Sequence, residues 1–258
     1  LTKVNSTGKE SYQWYEFAVT KVLEKGQVVR LVGSMKNIEE AHNDPNSLFI
    51  DIGAKSKEDA LKYVHVGSVC GYCGEYLPLA NDLVCSKTFD DRIGCFQLIE
   101  ALRENDGTYP NDIYYVFTVQ EEVGCRGSKT TAAFIKPDIG IAVDVTPAHD
   151  YPCDLTGSNA IGKGIGIKVA DPSVLCHEDV IAVMEQCCRH KDIPFQYEVI
   201  DKGGCDASSM NLSNFGVRAG GISVVTRYAH CSSSVISKED AESGIRLCTA
   251  FSKYEFQF

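Results

Sequence analysis

The sequence predicts an α/β fold preceded by a small β-rich domain. Three observations support this: short apolar runs typical of strands buried on both faces, amphipathic helical patterns beside them, and a change of pattern near residue 86. The chain has 258 residues, of which 44% are hydrophobic and 23% charged, as in globular proteins with one large or two smaller domains. We expect a small domain over residues 1–86 and a larger domain over residues 87–258.

The first domain is predicted from two strands and one short helix. Residues 28–34 (VVRLVGS) and 48–52 (LFIDI) are apolar and rich in β-branched side chains, which predicts strands. Residues 56–64 (SKEDALKYV) predict a short helix, because Ser56 and Glu58 stand in capping positions.

The second domain is predicted from longer apolar runs and helical spacing. Three continuous apolar runs predict strands of a buried sheet: 113–119 (IYYVFTV), 139–145 (IGIAVDV) and 221–225 (GISVV). Three amphipathic patterns predict helices that flank this sheet: 93–102, 178–190, and 238–254 with Ser237 as N-cap.

Charge and cysteine content exclude several classes of function. The net charge is −10 and there is no basic run, so nucleic acids and anionic membranes are poor partners. Residues 1–15 lack the apolar core of a signal peptide, and no apolar stretch approaches the roughly 20 residues of a membrane span. Of the 12 cysteines, only Cys70 and Cys73 form a CxxC pair. We therefore expect a cytoplasmic protein with reduced, structural thiols; a disulfide framework is the alternative.

Acidic and imidazole side chains stand at the ends of the predicted strands and at the start of one helix. They are Asp90, Asp91, Glu121, Glu122, Asp144 and His230. The carboxyl ends of strands in α/β sheets form ligand crevices, and this mix of oxygen and nitrogen donors suits zinc, cobalt or manganese. Each group also has a plainer explanation: a helix cap, a solvated acid pair, an ion pair, or a hydrogen-bonded loop histidine. One shared site explains all of them together.

Five segments also appear in a recognisable order: 87–92 (KTFDDR), 117–124 (FTVQEEVG), 142–146 (AVDVT), 203–207 (GGCDA) and 227–230 (RYAH). This ordered set resembles the metallo-aminopeptidases of peptidase family forty-two, which include glutamyl, deblocking and tetrahedral (TET) aminopeptidases and some relatives labelled cellulase or endoglucanase. The resemblance covers about residues 28–258. It implies a three-layer, zinc-peptidase-like α/β domain with a mixed central sheet, and it identifies the small β-rich domain as an inserted dimerisation domain.

The resemblance also implies the chemistry. Such enzymes hold two divalent ions, zinc or cobalt most often and manganese as an alternative, and hydrolyse the N-terminal residue from short peptides through a metal-bound water. The matching ligands are Asp90 (bridging), Glu122 and His230 (one metal) and Asp144 (the other metal). Glu121 matches the general base, and Asp91 matches the neighbour that supports Asp90. Gly204, Asp206 and Arg227 are expected to bind substrate or to shape the site.

The sequence departs from the family pattern in two places. The family takes a further ligand from a His-x-Asp motif near its N-terminus, ahead of the inserted domain, and none of the six histidines precedes the insert predicted over residues 1–86; the His-x-Asp triplets that begin at His42, His177 and His190 lie within or after it. We therefore expect the N-terminal part of the catalytic domain to be absent, because the sequence is part of a longer chain, is truncated, or belongs to a degenerate relative. The second departure is residues 231–234 (CSSS), which replace a stretch that usually carries a proline or an acid.

Other functions stay open from the sequence. A catalytically silent relative would act as a scaffold or assembly subunit. Cys205, which replaces a threonine of the family, could pair with His230 for thiol catalysis, but this leaves the acids unexplained. Glycoside hydrolysis by paired carboxylates lacks an aromatic groove, since Trp14 is the single tryptophan. By resemblance we expect a homo-oligomer in which residues 1–86 form a dimer that builds toward a tetrahedral dodecamer.

Overall fold

The computed structural model describes residues 12–23, 27–36, 52–69, 71–72, 74–153 and 156–256, with side chains from residue 52 onward except at residue 72. The chain divides into two compact units, Leu1–Glu75 and Tyr76–Phe258. The sequence-based boundary near residue 86 therefore differs from the structural one. The strand Leu83–Ser86 belongs to the second unit because it pairs with the strand Ser234–Ser237.

The described residues of the first unit form a three-stranded sheet and one short helix. Strand β1 (Tyr12–Leu23) lies between β2 (Gln27–Lys36) and β3 (Gly71–Tyr72), and both pairings are antiparallel. Helix α1 (Lys57–Ala60) begins after Ser56, whose hydroxyl accepts a hydrogen bond from the Asp59 backbone N–H at 3.2 Å, as its capping position predicts. The predicted strand at 28–34 lies within β2. The predicted strand at 48–52, apart from Ile52, lies outside the described residues, as do Cys70 and Cys73.

The second unit is built on a mixed sheet of eight strands. These are β4 (Leu77–Pro78), β5 (Leu83–Ser86), β6 (Ile139–Pro147), β7 (Ile165–Asp171), β8 (Val174–Leu175), β9 (Phe195–Val199), β10 (Arg218–Arg227) and β11 (Ser234–Ser237). The order is β4-β5-β11-β10-β7-β8, with β6 beside β10 and β9 beside β7. The β6–β10 and β7–β9 pairs are parallel, and the other pairs are antiparallel. The mixed sheet confirms the predicted fold class.

Five helices of this unit are described: α2 (Phe89–Arg103), α3 (Arg126–Ile135), α4 (Glu178–His190), α5 (Asp206–Asn211) and α6 (Lys238–Ser252). The three helices predicted from apolar spacing correspond to α2, α4 and α6. Helix α6 begins at the predicted cap, where the Ser237 hydroxyl accepts from the Asp240 N–H at 3.3 Å. None of the described helices is long and apolar enough to span a bilayer. Nine of the described cysteines are free thiols: Cys85, Cys95, Cys125, Cys176, Cys187, Cys188, Cys205, Cys231 and Cys248.

The prediction of a strand at 113–119 is wrong. This segment joins no ladder among the described strands, and Tyr114, Phe117 and Val119 are 65%, 48% and 69% exposed. An apolar run becomes a strand only when a neighbouring backbone completes its hydrogen bonds. Strand β6 pairs with β10, and no described strand lies against its other edge.

Helices cover both faces of the sheet and give it three layers. On one face, Ile222 and Val224 of β10 join a large apolar cluster with residues of α2, α4 and α6. On the other face, Ala219 of β10 and Ala142 of β6 pack with Ala207 of α5. Alternate residues of a strand point to opposite faces, so β10 contributes to both cores. All residues of β10 from 219 to 226 are buried.

The face covered by α5 also holds a buried charged group. The Lys168 ammonium donates to Glu198 and lies 3.2 Å from an Asp171 carboxylate oxygen, and its side chain is 2% exposed. Burial alone would lower the pKa of Lys168, but the negative charges of Glu198 and Asp171 raise it above its ordinary value. Lys168 therefore remains a cation inside the domain.

Candidate metal centre

Three chain segments bring Asp90, Glu122 and His230 together at one end of the sheet. Asp90 lies in the first turn of α2, Glu122 precedes α3, and His230 follows β10. The His230 Nε2 atom is 3.0 Å from Asp90 Oδ2 and 3.3 Å from Glu122 Oε2. One ligand atom from each residue lies within 4.8 Å of the other two. Bonds of about 2.0–2.2 Å place two ligands of one zinc ion at most about 4.4 Å apart, so the His230 contacts fit a shared ion.

Asp91 and Asp144 extend this cluster into the protein. Burial, followed by the negative charge of Asp144, raises the pKa of Asp91 to about 9, while the hydrogen bond from the Gly94 N–H opposes the rise. Burial also raises the pKa of Asp144 well above its ordinary value; the Val145 N–H donates to Oδ1 at 2.7 Å and opposes it. The charge of Asp90 raises both values further. Carboxylates packed in this way favour a bound cation, so the donor set fits a divalent metal.

The plainer explanations of these acids are partly correct. Asp91 Oδ1 accepts the Gly94 N–H at 3.0 Å, so Asp91 caps the following turn of α2 while Asp90 contacts His230. For Asp144, the positive charge of Lys168 lowers the pKa, but the Lys168 ammonium bonds to Glu198 instead. Asp90 and Asp91, although adjacent in the chain, therefore have different partners.

Contact with the two acids raises the pKa of His230 to about 9. The hydrogen bond with Asp90 is the largest cause; burial lowers the pKa, and the charge of Glu122 raises it again. Asp90 is 14% exposed, whereas Glu122 and His230 are 58% and 69% exposed, so the cluster opens to solvent on one side. A substrate could approach from that side.

Glu121 lies beside the cluster and faces a thiol. The Cys125 Sγ–H donates to Glu121 Oε1 at 3.3 Å. Burial is the largest cause of the raised pKa of Glu121; the thiol hydrogen bond opposes it, and the charges of Asp206, Glu122 and Asp90 add to it. A carboxylate with a raised pKa is suited to accept a proton near neutral pH.

The glycine-rich segment at 203–206 packs behind Glu121. Asp206 accepts hydrogen bonds from the hydroxyls of Thr118 (2.7 Å) and Ser128 (2.5 Å). A Cβ at Gly204 would lie 2.7 Å from Ser173 Oγ, so only glycine fits there without displacement of that side chain. Cys205 is 2% exposed and its sulfur lies 4.0 Å from an Asp171 oxygen, and burial raises its thiol pKa. This environment opposes thiolate formation and disfavours thiol catalysis.

Arg227 forms an ion pair with Asp150. Its Nε and Nη2 atoms donate to the two oxygens of Asp150 at 2.8 and 2.7 Å, and Asp150 also accepts the Ile161 N–H at 3.1 Å. The ring of Tyr151 meets that of Tyr228 edge-on, with 4.8 Å between centroids. Of the two roles expected for Arg227, this geometry favours shaping the site over binding substrate.

Sequence reasoning missed the residues that hold the site together. These are Thr118, Cys125, Ser128, Asp150 and Tyr151. Their side chains are common in loops and helix starts, so composition gives them no distinct signal. The one available signal was position, because all five lie within a few residues of a predicted strand end or of Glu121 and Glu122.

Comparison with known proteins supports the same interpretation. An aminopeptidase homologue from Acetivibrio thermocellus is 41% identical over 234 residues, which are 90% of this chain and 70% of that protein. Among solved structures, an aminopeptidase of the archaeon Desulfurococcus kamchatkensis matches with a TM-score of 0.84 and 34% identity, over 93% of this chain and 69% of that one. The TET1 peptidase of Pyrococcus horikoshii, which can assemble into a tetrahedron or a large octahedral shell, matches with a TM-score of 0.77 and 29% identity, over 94% and 72%.

This chain spans only part of the length of the relatives that it matches. It spans 58% and 66% of the length of two other relatives, both from Escherichia coli strain K12. The family profile described as M42 glutamyl aminopeptidase matches residues 20–247. The profile, the sequence identities and the solved structures agree, and the chain belongs to the M42 glutamyl aminopeptidase family.

Proposed function

We propose that this chain acts as a metal-dependent aminopeptidase that hydrolyses N-terminal residues from short peptides. The observation that carries the proposal is the meeting of Asp90, Glu122 and His230 within 4.8 Å of one another. Family membership supports the reaction class. A cluster of acids and one imidazole suits two divalent ions, with zinc or cobalt preferred and manganese as the alternative.

Each side chain has a proposed role. Asp90 would be a ligand of both ions, with Asp91 behind it; Glu122 and His230 would hold one ion, and Asp144 would hold the other. When bound, the ions supply a water of lowered pKa and polarise the scissile carbonyl. Glu121 accepts a proton on its carboxylate and delivers it to the leaving amine. Gly204, Asp206 and Arg227 keep the surrounding loops in place.

Metal content and turnover test the proposal together. We expect about two metal ions per chain and hydrolysis of amino-acid p-nitroanilides that stops on chelation and returns with zinc or cobalt. Glu121→Gln should keep the metal and lower kcat by roughly 10²- to 10⁴-fold. The matched control is Glu104→Gln, an exposed glutamate at the end of α2.

Two results would refute this function. Turnover that survives chelation would exclude metal catalysis, and full turnover in Glu121→Gln would remove Glu121 from the mechanism. One metal or none, with no turnover in added zinc or cobalt, would favour a silent scaffold or assembly subunit.

We also propose that the protein forms a homo-oligomer in the cytoplasm. The tetrahedron and octahedral shell formed by the TET1 relative support an assembly of many copies. In our proposal, residues 1–86 form a dimer that builds toward a tetrahedral dodecamer. Free thiols support a reducing compartment. Light scattering after size-exclusion chromatography tests the assembly; a monomer at micromolar concentration would refute it.

A further inference from the structure

The segment that carries Glu121 and Glu122 has an unusual backbone. Residues 118–128, which we call the elbow, run from the extended segment into α3. Gln120 and Cys125 have φ of 60° and 50°, and Gly124 has φ of 113°. Left-handed backbone at non-glycine residues costs free energy and persists only when the surroundings hold it. The elbow therefore needs support from outside itself.

Internal hydrogen bonds close the elbow but do not anchor it. The N–H groups of Gly124 and Cys125 donate to the Glu121 carbonyl at 2.9 and 2.8 Å. The Gly127 N–H donates to the Val119 carbonyl at 3.0 Å. All of these bonds begin and end within residues 118–128, so they set its shape and leave its position to other contacts.

Gly127 lets the two ends of the elbow touch. A Cβ at this position would lie 2.5 and 2.6 Å from the backbone O and N of Val119 and 3.2 Å from the Thr118 Cβ. Backbone atoms cannot move aside as a flexible side chain can, so only hydrogen fits there. The start and the end of the elbow are thus in direct contact.

One carboxylate binds both ends. Asp206 Oδ2 accepts the hydroxyl of Thr118 at the start of the elbow, and Oδ1 accepts the hydroxyl of Ser128 at its end, at 2.7 and 2.5 Å. Ser128 is 2% exposed, and its oxygen also lies 2.6 Å from Ser209 Oγ of α5. The Thr118 hydroxyl donates to Asp206, and the Ser128 hydroxyl lies within hydrogen-bond distance of both Asp206 and, at 3.0 Å, the Cys125 carbonyl oxygen.

We propose that Asp206 is a positioning residue that fixes the elbow through Thr118 and Ser128 and so sets the placement of Glu121 and Glu122. It acts on the reaction through these two hydroxyls and supplies no metal ligand. The catalytic consequence rests on the proposed function, whereas the anchoring of the elbow does not. The competing role is metal ligation, since Asp206, Glu121 and Cys125 have ligand atoms within 4.8 Å of one another.

Hydrogen exchange on the protein without added metal or substrate tests the anchoring directly. We expect Thr118→Val and Asp206→Asn to speed exchange of the amides of residues 124–127 at least about tenfold, with β10 unchanged. Thr118→Ser keeps the hydroxyl and should restore slow exchange. The matched control is Thr130→Val, because that exposed hydroxyl bonds only to carbonyls of Arg126 and Gly127 near the start of α3. Unchanged exchange in both Thr118→Val and Asp206→Asn would overturn the proposal.

Metal binding and kinetics separate positioning from ligation. In Thr118→Val and Asp206→Asn, we expect the zinc stoichiometry to match the parent, kcat to fall at least about tenfold, and KM to stay within about twofold. Thr118→Val should add little to Asp206→Asn, because both changes weaken the same link between Asp206 and the start of the elbow. Loss of one zinc in Asp206→Asn alone would overturn the proposal in favour of ligation. If the parent shows no turnover, the proposed function fails while the exchange result still decides the anchoring.

Discussion

The pairing of Arg227 with Asp150 allows a quantitative test. The pair makes two charge-assisted hydrogen bonds, of 2.8 and 2.7 Å, and the side chains are 28% and 22% exposed. Hydrogen bonds to charged groups contribute about 1.5–3 kcal/mol each when buried. Since solvent screens both side chains in part, we expect a coupling of about 2 kcal/mol for the whole pair.

Urea unfolding of Arg227→Ala, Asp150→Ala and the double variant measures this coupling as the departure from additivity. About 2 kcal/mol corresponds to a change of roughly 30-fold in the unfolding equilibrium constant. For a domain of this size it lowers Tm by about 4–8 °C in either single variant. The double variant should be little worse than either single one, because the interaction is already lost.

The pH dependence has a definite sign. The hydrogen bond from Arg227 lowers the pKa of Asp150 below its ordinary value of 3.8, and burial opposes the shift. Because the folded-state pKa is the lower one, the stabilisation is present above the ordinary pKa and is lost as pH falls through the lowered pKa. We expect equal coupling at pH 6 and pH 8. A coupling below about 0.5 kcal/mol would refute this account. So would a stable Arg227→Ala variant whose KM rises about tenfold, which is the behaviour of a substrate receptor.

Two further predictions concern stability and thiol reactivity. Gly164 has φ of +94° and a Cβ there would lie 2.2 Å from the Pro194 carbonyl, so Gly164→Ala should lower the free energy of unfolding by about 3 kcal/mol. Gly162→Ala, at φ +77° with no atom within 4 Å, should lose only about 1–2 kcal/mol, and equal losses by urea unfolding would contradict the steric argument. Burial raises the thiol pKa of Cys188 and of Cys248 to about 12, whereas Cys231 is exposed, so a disulfide reagent at pH 8 should label Cys231 before Cys188 and Cys248. Peptide mapping that finds Cys248 labelled as fast as Cys231 would contradict this order.

Four of the described helices (α1, α2, α4 and α6) and two of the three long strands could be predicted from the sequence because their signals are local, whereas α3 and α5 were not predicted. Helix α4 begins and ends at the predicted residues 178 and 190, where apolar spacing and an acidic first turn coincide. The segment at 113–119 has an equally strong apolar signal but joins no described ladder. Strand formation depends on a partner that the segment itself does not encode.

The candidate site shows the same contrast between local signals, which the sequence reveals, and long-range pairings, which it does not. The acids and His230 could be predicted because each stands at the end of an element, and the structure brings Asp90, Glu122 and His230 together. The roles of Arg227 and Asp206 depend on Asp150 and Thr118, which lie 77 and 88 residues away in the chain. Pairings at such separations have no local pattern, so sequence reasoning named these residues without their partners.

The two sides of the site, one carrying His230 and the other Glu121 and Glu122, differ in how many strand pairings support them. His230 follows β10, whose residues 219–226 are buried and which pairs with three other strands. Glu121 and Glu122 lie on a segment that joins no described ladder. Local unfolding starts where few backbone hydrogen bonds and contacts hold a segment in place. On warming, we therefore expect the segment that carries Glu121 and Glu122 to unfold locally while β10 and His230 are still folded. Activity would then be lost at a lower temperature than that of global unfolding. The local stability of about a dozen residues would set the highest temperature at which the enzyme works.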